Sequence, residues 1–385
     1  MLIVLFSMTR HANRHHFTAD MVAGRDFGVL WSGGRTAIAG LFRHASIVTL
    51  FSPSRFGNVV KADWPILHGQ RLWSYPPTMM PVMMVFGGLP LIGAAALYVG
   101  VGIMVMSLAV AAAMDIRRDL ACLIVLMAPG TWDCILAGQD SLIIGALVIA
   151  GIMRARRYPV LAGMLLGLAT AKPQLGMSTP AALIGQKAWK AIFVAIVSVG
   201  VMAVLTSLLW PGAWGLWLSH VVPVQMARMD RPYIPTPSQA YSGSLYEFMR
   251  AEGLGEAASS FVSAIASGLA MFGVAVVFRR ASHDRERRVA LLASLALLPV
   301  ASPWLMDYDF AAIQPIAIAL IFQGRDIWEF GPSKYLLIIA ILASLVLPEF
   351  GFILSLRTGV APIAPLVISM LGLAAIVASW QWRQE

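Results

Sequence analysis

Charged residues are scarce in this sequence. They make up 12% of its 385 residues, whereas an ordinary soluble domain carries about 25%. Hydrophobic residues make up 59%, and a globule of that composition has too little polar surface to stay in water. The composition therefore excludes a soluble enzyme, a disordered chain and a collagen-like chain. It indicates a protein that crosses the bilayer many times.

Cysteines and metal-ligand clusters are scarce as well. The two cysteines, Cys122 and Cys134, lie in or beside apolar segments, where an unpaired cysteine packs as a small hydrophobic residue. His11, His15 and His16 lie close together, but no acidic residue or cysteine beside them completes a tetrahedral metal site. We expect no disulfide, no bound metal and no cofactor.

Basic residues outnumber acidic ones, 28 to 19. Such an excess is common in nucleic-acid-binding proteins, but here the basic residues stand in short clusters between apolar runs. That arrangement is typical of the cytoplasmic loops of membrane proteins. We therefore expect contact with membrane lipid and none with nucleic acid.

Apolar runs alternate with short polar or basic breaks from Met79 onward. Several are shorter than the ~20 residues that a perpendicular membrane-spanning helix needs. The pattern predicts an all-α fold, a polytopic integral membrane helical bundle of about 10–12 transmembrane helices. The predicted spans lie near residues 79–113 (with a break at Pro90), 119–133, 138–153, 158–170, 174–186, 188–210, 256–278, 288–302, 304–323, 334–348 and 360–380.

Lysine and arginine predict the orientation of the bundle. If residues 9–78 face outside, the inner loops carry fifteen of these residues and the outer loops after Met79 carry five. The charge run at residues 279–288 is then a topology anchor. This orientation places two large segments, residues 9–78 and 211–255, outside the membrane.

The predicted domain boundaries follow from this topology. Residues 1–78 are a truncated first helix plus an external loop, and residues 79–385 are the transmembrane bundle with its second external loop at 211–255. Met1–Met8 is apolar but too short for a span or a signal peptide. We expect either that most of a first helix is missing or that this segment lies on the membrane surface.

Polar residues next to apolar runs mark candidate sites, because they are costly at membrane depth. Within Ala137–Ser141, Gln139 and Asp140 follow a span, and a helix cap is the alternative role for Asp140. Within Ala171–Gln174, a proline breaks the helix beside Lys172. A lysine held there suits an anionic group such as phosphate, and snorkelling to the interface is the alternative.

Two further candidate sites are Ser302–Asp309 and Trp73–Pro77. Asp307 and Asp309 stand two residues apart and cannot share a helix face, so we expect one in a site and the other at a helix cap. Two prolines after Tyr75 force an extended or turned entry into the bundle. All four places lie on the outer side of the predicted topology, which predicts an outward-facing polar cavity.

These four motifs, in this order and preceded by an Asp-Phe pair, resemble glycosyltransferase family 87 of the polytopic GT-C class. The resemblance spans about residues 26–320. One position departs from it, because Asp140 stands where the family usually has Asn. The matching residues are Asp26-Phe27, Tyr75-Pro76-Pro77, Gly138-Gln139-Asp140, Lys172-Pro173-Gln174 and Ser302-Pro303 with Asp307-Tyr308-Asp309.

The resemblance implies a GT-C-like fold and a reaction at an acceptor hydroxyl. Asp26 is the implied general base, since the hydroxyl must lose its proton as it attacks the anomeric carbon. Lys172 is the implied cation that takes up the charge of the leaving lipid phosphate without a metal. The implied substrate-binding residues are Tyr75, Gln139, Asp140, Lys172, Gln174, Asp307, Tyr308 and Asp309.

We therefore predict a hexosyltransferase of the cell inner (plasma) membrane, with mannose among the candidate sugars. The donor is a polyprenyl-phosphate-linked sugar as co-substrate, the acceptor is a glycolipid or an envelope glycan, and the active site faces the periplasm. We expect inversion at the anomeric carbon.

Two other classes stay open. One is a multi-pass transporter or flippase of an anionic or lipid-linked solute, which uses the same intramembrane charges. The other is a structural subunit of an envelope-assembly complex, in which no single carboxylate matters. Asp26 discriminates between them, because a transferase needs an acid in the external segment. Its alternative role is a solvated loop acid, and Asp20 and Asp63 are rivals in the same segment.

Overall fold

The computed structural model of the chain describes residues 24–43, 45–65, 67, 71–229, 237–323 and 332–380. These residues fold almost wholly into helices, with one isolated antiparallel bridge between Ser242 and Met306. The predicted all-α class is confirmed. The apolar start of the chain, the three clustered histidines and Asp20 lie outside the described residues.

Helices lie on the predicted apolar runs and also within both segments that were predicted as external loops, residues 9–78 and 211–255. In the first half they are Arg25–Phe42, Val48–Phe51, Pro53–Asp63, Met79–Gly87, Leu91–Met114, Arg118–Met127, Pro129–Ala137, Ser141–Arg154, Pro159–Ala169, the 3-10 helix Pro173–Gly176, Thr179–Gly185 and Trp189–Leu209. In the second half they are Ala213–Leu216, the π-helical turn Trp217–Val221, Val222–Met229, Pro237–Ala240, Leu245–Ala251, Glu256–Arg280, Asp284–Ala296, Leu298–Ala301, the 3-10 helix Asp307–Ala312, Gln314–Phe322, Ser333–Thr358 and Ala364–Trp380.

Four of the described helices are long and apolar enough to cross a bilayer: Leu91–Met114, Trp189–Leu209, Glu256–Arg280 and Ser333–Thr358. The pair Arg118–Met127 and Pro129–Ala137, bent by 71°, makes a fifth candidate. The multi-pass helical architecture is therefore confirmed. The rest of the predicted 10–12 spans coincide with shorter or broken helices.

Prolines set the breaks that shape the bundle. Pro90 separates the short helix Met79–Gly87 from the full span that follows, as predicted. Pro129 begins a helix after Ala128, whose extended backbone (ψ 122°) is the conformation that a following proline favours. Each break ends one helix and redirects the next.

The predicted loop over residues 9–78 is largely helical where the structure describes it. Arg25–Phe42, the entry helix, has 18 residues and packs against Met79–Gly87. The two helices touch closely, because a Cβ added at Gly34 would lie 2.1 Å from the carbonyl oxygen of Met83. The buried face of the entry helix attaches the amino-terminal segment firmly to the bundle.

Contacts between connecting segments occur at both ends of the bundle. At the predicted outer end, the backbone N–H of Gly24 donates to the carbonyl oxygen of Leu136 at 2.6 Å. At the predicted inner end, the Arg287 guanidinium donates to the carbonyl oxygen of Met153 at 2.7 Å. The segments that the charge pattern assigns to one side thus meet one another.

Candidate active site

A buried lysine forms the centre of the site. The Lys172 side chain is 2% exposed, and its Nζ lies 3.0 Å from Asp140 Oδ1 and 2.7 Å from Asp309 Oδ1. The same ammonium donates to Ser141 Oγ at 2.9 Å and to Gln139 Oε1 at 3.2 Å. An ammonium has three donors and no acceptor, so these protein groups take up its hydrogen-bonding capacity. Lys172 does not snorkel to the interface.

The local backbone explains how Lys172 and Asp140 meet. Lys172 has a non-helical backbone conformation (φ −131°, ψ 82°) immediately before Pro173, at the predicted helix break. Asp140 is the N-cap residue of the helix Ser141–Arg154, yet its side chain accepts no hydrogen bond from the first turn of that helix. The Asp140 carboxylate is directed to Lys172 instead, so the helix-cap alternative does not describe it.

Asp309 fills both roles that we expected Asp307 and Asp309 to divide between them, a helix cap and a contact within the site. Its Oδ2 accepts the backbone N–H of Met306 at 3.1 Å, which caps the 3-10 helix, and its Oδ1 accepts the Ser141 hydroxyl at 2.6 Å. The same Oδ1 pairs with Lys172. A single aspartate therefore ties the late loop to the broken helix.

Gln139 links this buried centre to Asp26. Its Oε1 accepts the Tyr75 hydroxyl at 2.8 Å, and its Nε2 donates to Asp26 Oδ2 at 2.8 Å. The donors on one side and the carboxylate on the other agree with a single orientation of the amide. The Tyr308 ring lies 4.9 Å from Lys172 Nζ. We call the connected set the central polar cluster: Asp26, Tyr75, Gln139, Asp140, Ser141, Lys172, Tyr308 and Asp309.

The Asp-Phe pair is positioned by a glycine turn. Gly138 has φ +75°, a left-handed conformation that favours glycine, and a Cβ there would lie 2.7 Å from the Phe27 backbone nitrogen. The Phe27 ring packs 4.9 Å from the Tyr98 ring. Phe27 thus anchors the start of the entry helix beneath the turn, and Asp26 is held next to Gln139.

Exposure separates the two sides of the central polar cluster. The side chains of Asp26 and its neighbour Arg25 are each 20% exposed, whereas those of Lys172, Asp140 and Asp309 are nearly inaccessible. The cluster therefore opens on the Asp26 side. Asp26 is a partly buried, hydrogen-bonded acid and not a solvated loop acid.

Asp63, the described rival to Asp26, lies elsewhere. Its carboxylate pairs with Arg35 at 2.8 Å, outside the central polar cluster. It lacks the link through Gln139 that joins Asp26 to the buried centre. Of these two acids, Asp26 is therefore the one that a hydrogen bond joins to the four motifs.

Two predicted site residues take no part in these contacts. Gln174 is half-buried in the 3-10 helix after Lys172. Asp307 is buried beside the cluster, and its Oδ1 has no hydrogen-bond partner in the described part of the chain.

The Asp307 environment predicts that Asp307→Asn is tolerated or stabilising, by up to about 1 kcal/mol. A neutral amide is less costly to bury than a carboxyl group whose Oδ1 has no hydrogen-bond partner among the described residues. Thermal unfolding in detergent measures the difference, and a destabilised variant would contradict the account.

The described residues contain no group of three or more histidine, cysteine or acidic side chains arranged to hold a metal ion. Both cysteines are free, Cys134 in the core and Cys122 half-buried. These findings agree with their predicted packing role.

Sequence reasoning missed two participants in the site. Ser141 was part of a recognised motif, but a single hydroxyl after Asp140 gives no signal that it bridges Lys172 and Asp309. Arg25, the residue before Asp26, is the second. Its Nε donates to Asp26 Oδ1 at 2.7 Å, and only its place beside the proposed base marks it in the sequence.

The fold and the site define a polytopic helical membrane protein with a charged centre buried among broken helices and partly open at one edge. The chain belongs to glycosyltransferase family 87, whose family model matches residues 73–303, more than half of the chain. The matched segment includes Tyr75, Gln139 and Lys172. Comparisons with curated proteins and with solved structures give no significant match.

Family membership decides between the predicted classes. The protein is a membrane glycosyltransferase, which acts on a sugar donor and an acceptor. The transporter and structural-subunit alternatives are not needed to explain the intramembrane charges.

Proposed function

We propose that this protein transfers a hexose from a polyprenyl-phosphate sugar to an acceptor hydroxyl, with Asp26 as the general base. The observation that carries the proposal is the partly exposed Asp26 carboxylate, held by Gln139 at the open edge of the central polar cluster. A general base must lie within hydrogen-bond reach of the acceptor hydroxyl, so it has to be accessible to a substrate that enters the site. No other carboxylate in the cluster combines exposure with this fixed position.

The other cluster residues position substrate and base. Gln139 fixes Asp26, and the Tyr75 hydroxyl fixes Gln139. Lys172 is enclosed by two carboxylates, so its role here is to hold Gln139 and Asp309 in place, and a direct phosphate contact is not part of the proposal. Tyr308 presents its ring at the same centre, where an aromatic face suits the apolar face of a sugar.

The proposed setting is the periplasmic side of an inner membrane. The support is the excess of lysine and arginine in the loops assigned to the cytoplasm. Those loops contact one another at the end of the bundle opposite the central polar cluster, as Arg287 and Met153 do. A lipid-linked donor suits this side, because its polyprenyl chain stays in the bilayer while its phosphate and sugar reach the site. Mannose is a candidate sugar, and a glycolipid or envelope glycan is the proposed acceptor.

A donor panel tests the proposed function. The purified protein is reconstituted in liposomes with membrane lipid extract as acceptor. It is supplied with radiolabelled mannosyl or glucosyl polyprenyl phosphate, or with the corresponding nucleotide sugars. We expect label to move to the acceptor from a lipid-phosphate donor alone. Transfer from a nucleotide sugar, or from none of the donors, would contradict the proposed donor class.

A further inference from the structure

Both oxygens of the proposed base are engaged by neighbouring side chains. Arg25 Nε donates to Asp26 Oδ1 at 2.7 Å, and Arg25 Nη2 donates to Oδ2 at 3.3 Å. Gln139 Nε2 donates to Oδ2 from the other side at 2.8 Å. The guanidinium fork covers one edge of the carboxylate, and Gln139 takes a further position on Oδ2, so an acceptor hydroxyl has little free access to either oxygen.

The leaving group of the proposed reaction needs a cation. When the anomeric C–O bond breaks, its electron pair stays on the lipid phosphate, whose added charge a fixed positive group stabilises. Lys172 is poorly placed for this, because Asp140 and Asp309 lie within 3.0 Å of its Nζ and together carry more charge than it does. The buried centre therefore offers no net positive charge to a phosphate.

Arg25, unlike Lys172, is a cation that an incoming phosphate can reach. Its side chain is 20% exposed on the open side of the cluster. Its partner Asp26 is linked through Gln139 to Lys172, whose Nζ lies 4.9 Å from the Tyr308 ring, so Arg25 lies at the outer edge of the same cluster. Its long side chain and planar fork match a phosphate as well as a carboxylate.

We propose that Arg25 binds the phosphate of the lipid-linked donor and, in doing so, exchanges Asp26 for the substrate. This inference rests on the proposed function. With Arg25 on the phosphate, Asp26 is released to take the proton of the acceptor hydroxyl. The acceptor oxygen bonds to the anomeric carbon, the C–O bond to phosphate breaks, and the lipid phosphate leaves on Arg25. Donor binding thus frees the Asp26 carboxylate to act as the base.

Equilibrium binding of undecaprenyl phosphate to protein in nanodiscs tests this exchange without turnover. Relative to wild type, we expect Arg25→Gln to bind the lipid phosphate about 10-fold or more weakly. Asp26→Asn should bind it several-fold more tightly, since the phosphate then does not have to displace the Asp26 carboxylate from Arg25. The double variant should bind as weakly as Arg25→Gln. The neutral alcohol undecaprenol should show none of these differences.

Arg35→Gln is the matched control. It removes another arginine of the entry helix, one paired with Asp63 at 2.8 Å, and it should leave binding unchanged. Unaltered binding by Arg25→Gln together with unaltered binding by Asp26→Asn would overturn the exchange while leaving the donor class intact. Equal affinity of the wild type for undecaprenyl phosphate and undecaprenol would instead overturn the donor class as well.

Discussion

Replacing Lys172 with methionine should prevent stable folding, at a cost of about 3–5 kcal/mol. The substitution leaves the Asp140 and Asp309 carboxylates, each 1% exposed, without the cation that lies between them. Removing one partner of a buried ion pair costs more than the pair contributes, because the remaining charge stays away from water. Here two carboxylates remain, so the effect should be at the upper end.

Size-exclusion chromatography and thermal unfolding in detergent measure this effect. Lys190→Met is the control, since Lys190 is exposed and its loss should change little. Adding Asp140→Asn and Asp309→Asn to Lys172→Met should restore much of the lost stability, because the triple variant has no uncompensated charge. A Lys172→Met protein as stable as wild type would show that the buried ion pairs do not hold the site together.

Replacing Asp26 with asparagine should lower sugar transfer by about 10²–10⁴-fold. Asparagine keeps the shape of the side chain, but its amide cannot take the hydroxyl proton. The fold should be unaffected, since Asp26 is at the open edge of the cluster and Phe27 anchors the helix start. The loss should therefore appear in turnover with an unchanged melting temperature.

Asp63→Asn provides the comparison for this variant. Asp63 belongs to the same amino-terminal segment but pairs with Arg35 away from the cluster, so its replacement should leave transfer within about two-fold of wild type. Equal activity of Asp26→Asn and wild type would remove Asp26 as the base. In that case Asp309 and Asp307 are the carboxylates to test next.

The convergence of four separated motifs was predictable from the sequence. Each motif pairs a helix break with a polar residue, and the alternation of spans places every such break at the same end of the bundle. Lys172, Asp140 and Asp309 meet for this reason, although they are up to 169 residues apart in number. The uneven distribution of lysine and arginine between the loops and the cost of polar groups in a membrane were sufficient to find them.

The partners within the site were less predictable. Sequence spacing does not show which oxygen of Asp309 meets Ser141 or that Gln139 bridges Tyr75 and Asp26. The helix Arg25–Phe42 was not predicted, because it lies inside residues 9–78, which the charge pattern assigns as a whole to an external loop, and its stability comes from tertiary packing. These features depend on contacts between distant segments.

The anomeric configuration of the product tests the central claim most directly. If Asp26 acts as a base in a single displacement, the acceptor attacks from the face opposite the lipid phosphate and the product has the inverted configuration. One-bond carbon–hydrogen couplings of the product formed from a donor of known configuration give the answer by NMR. Inversion is the predicted result. Retention would require a covalent intermediate or a front-face route and would contradict Asp26 as the base.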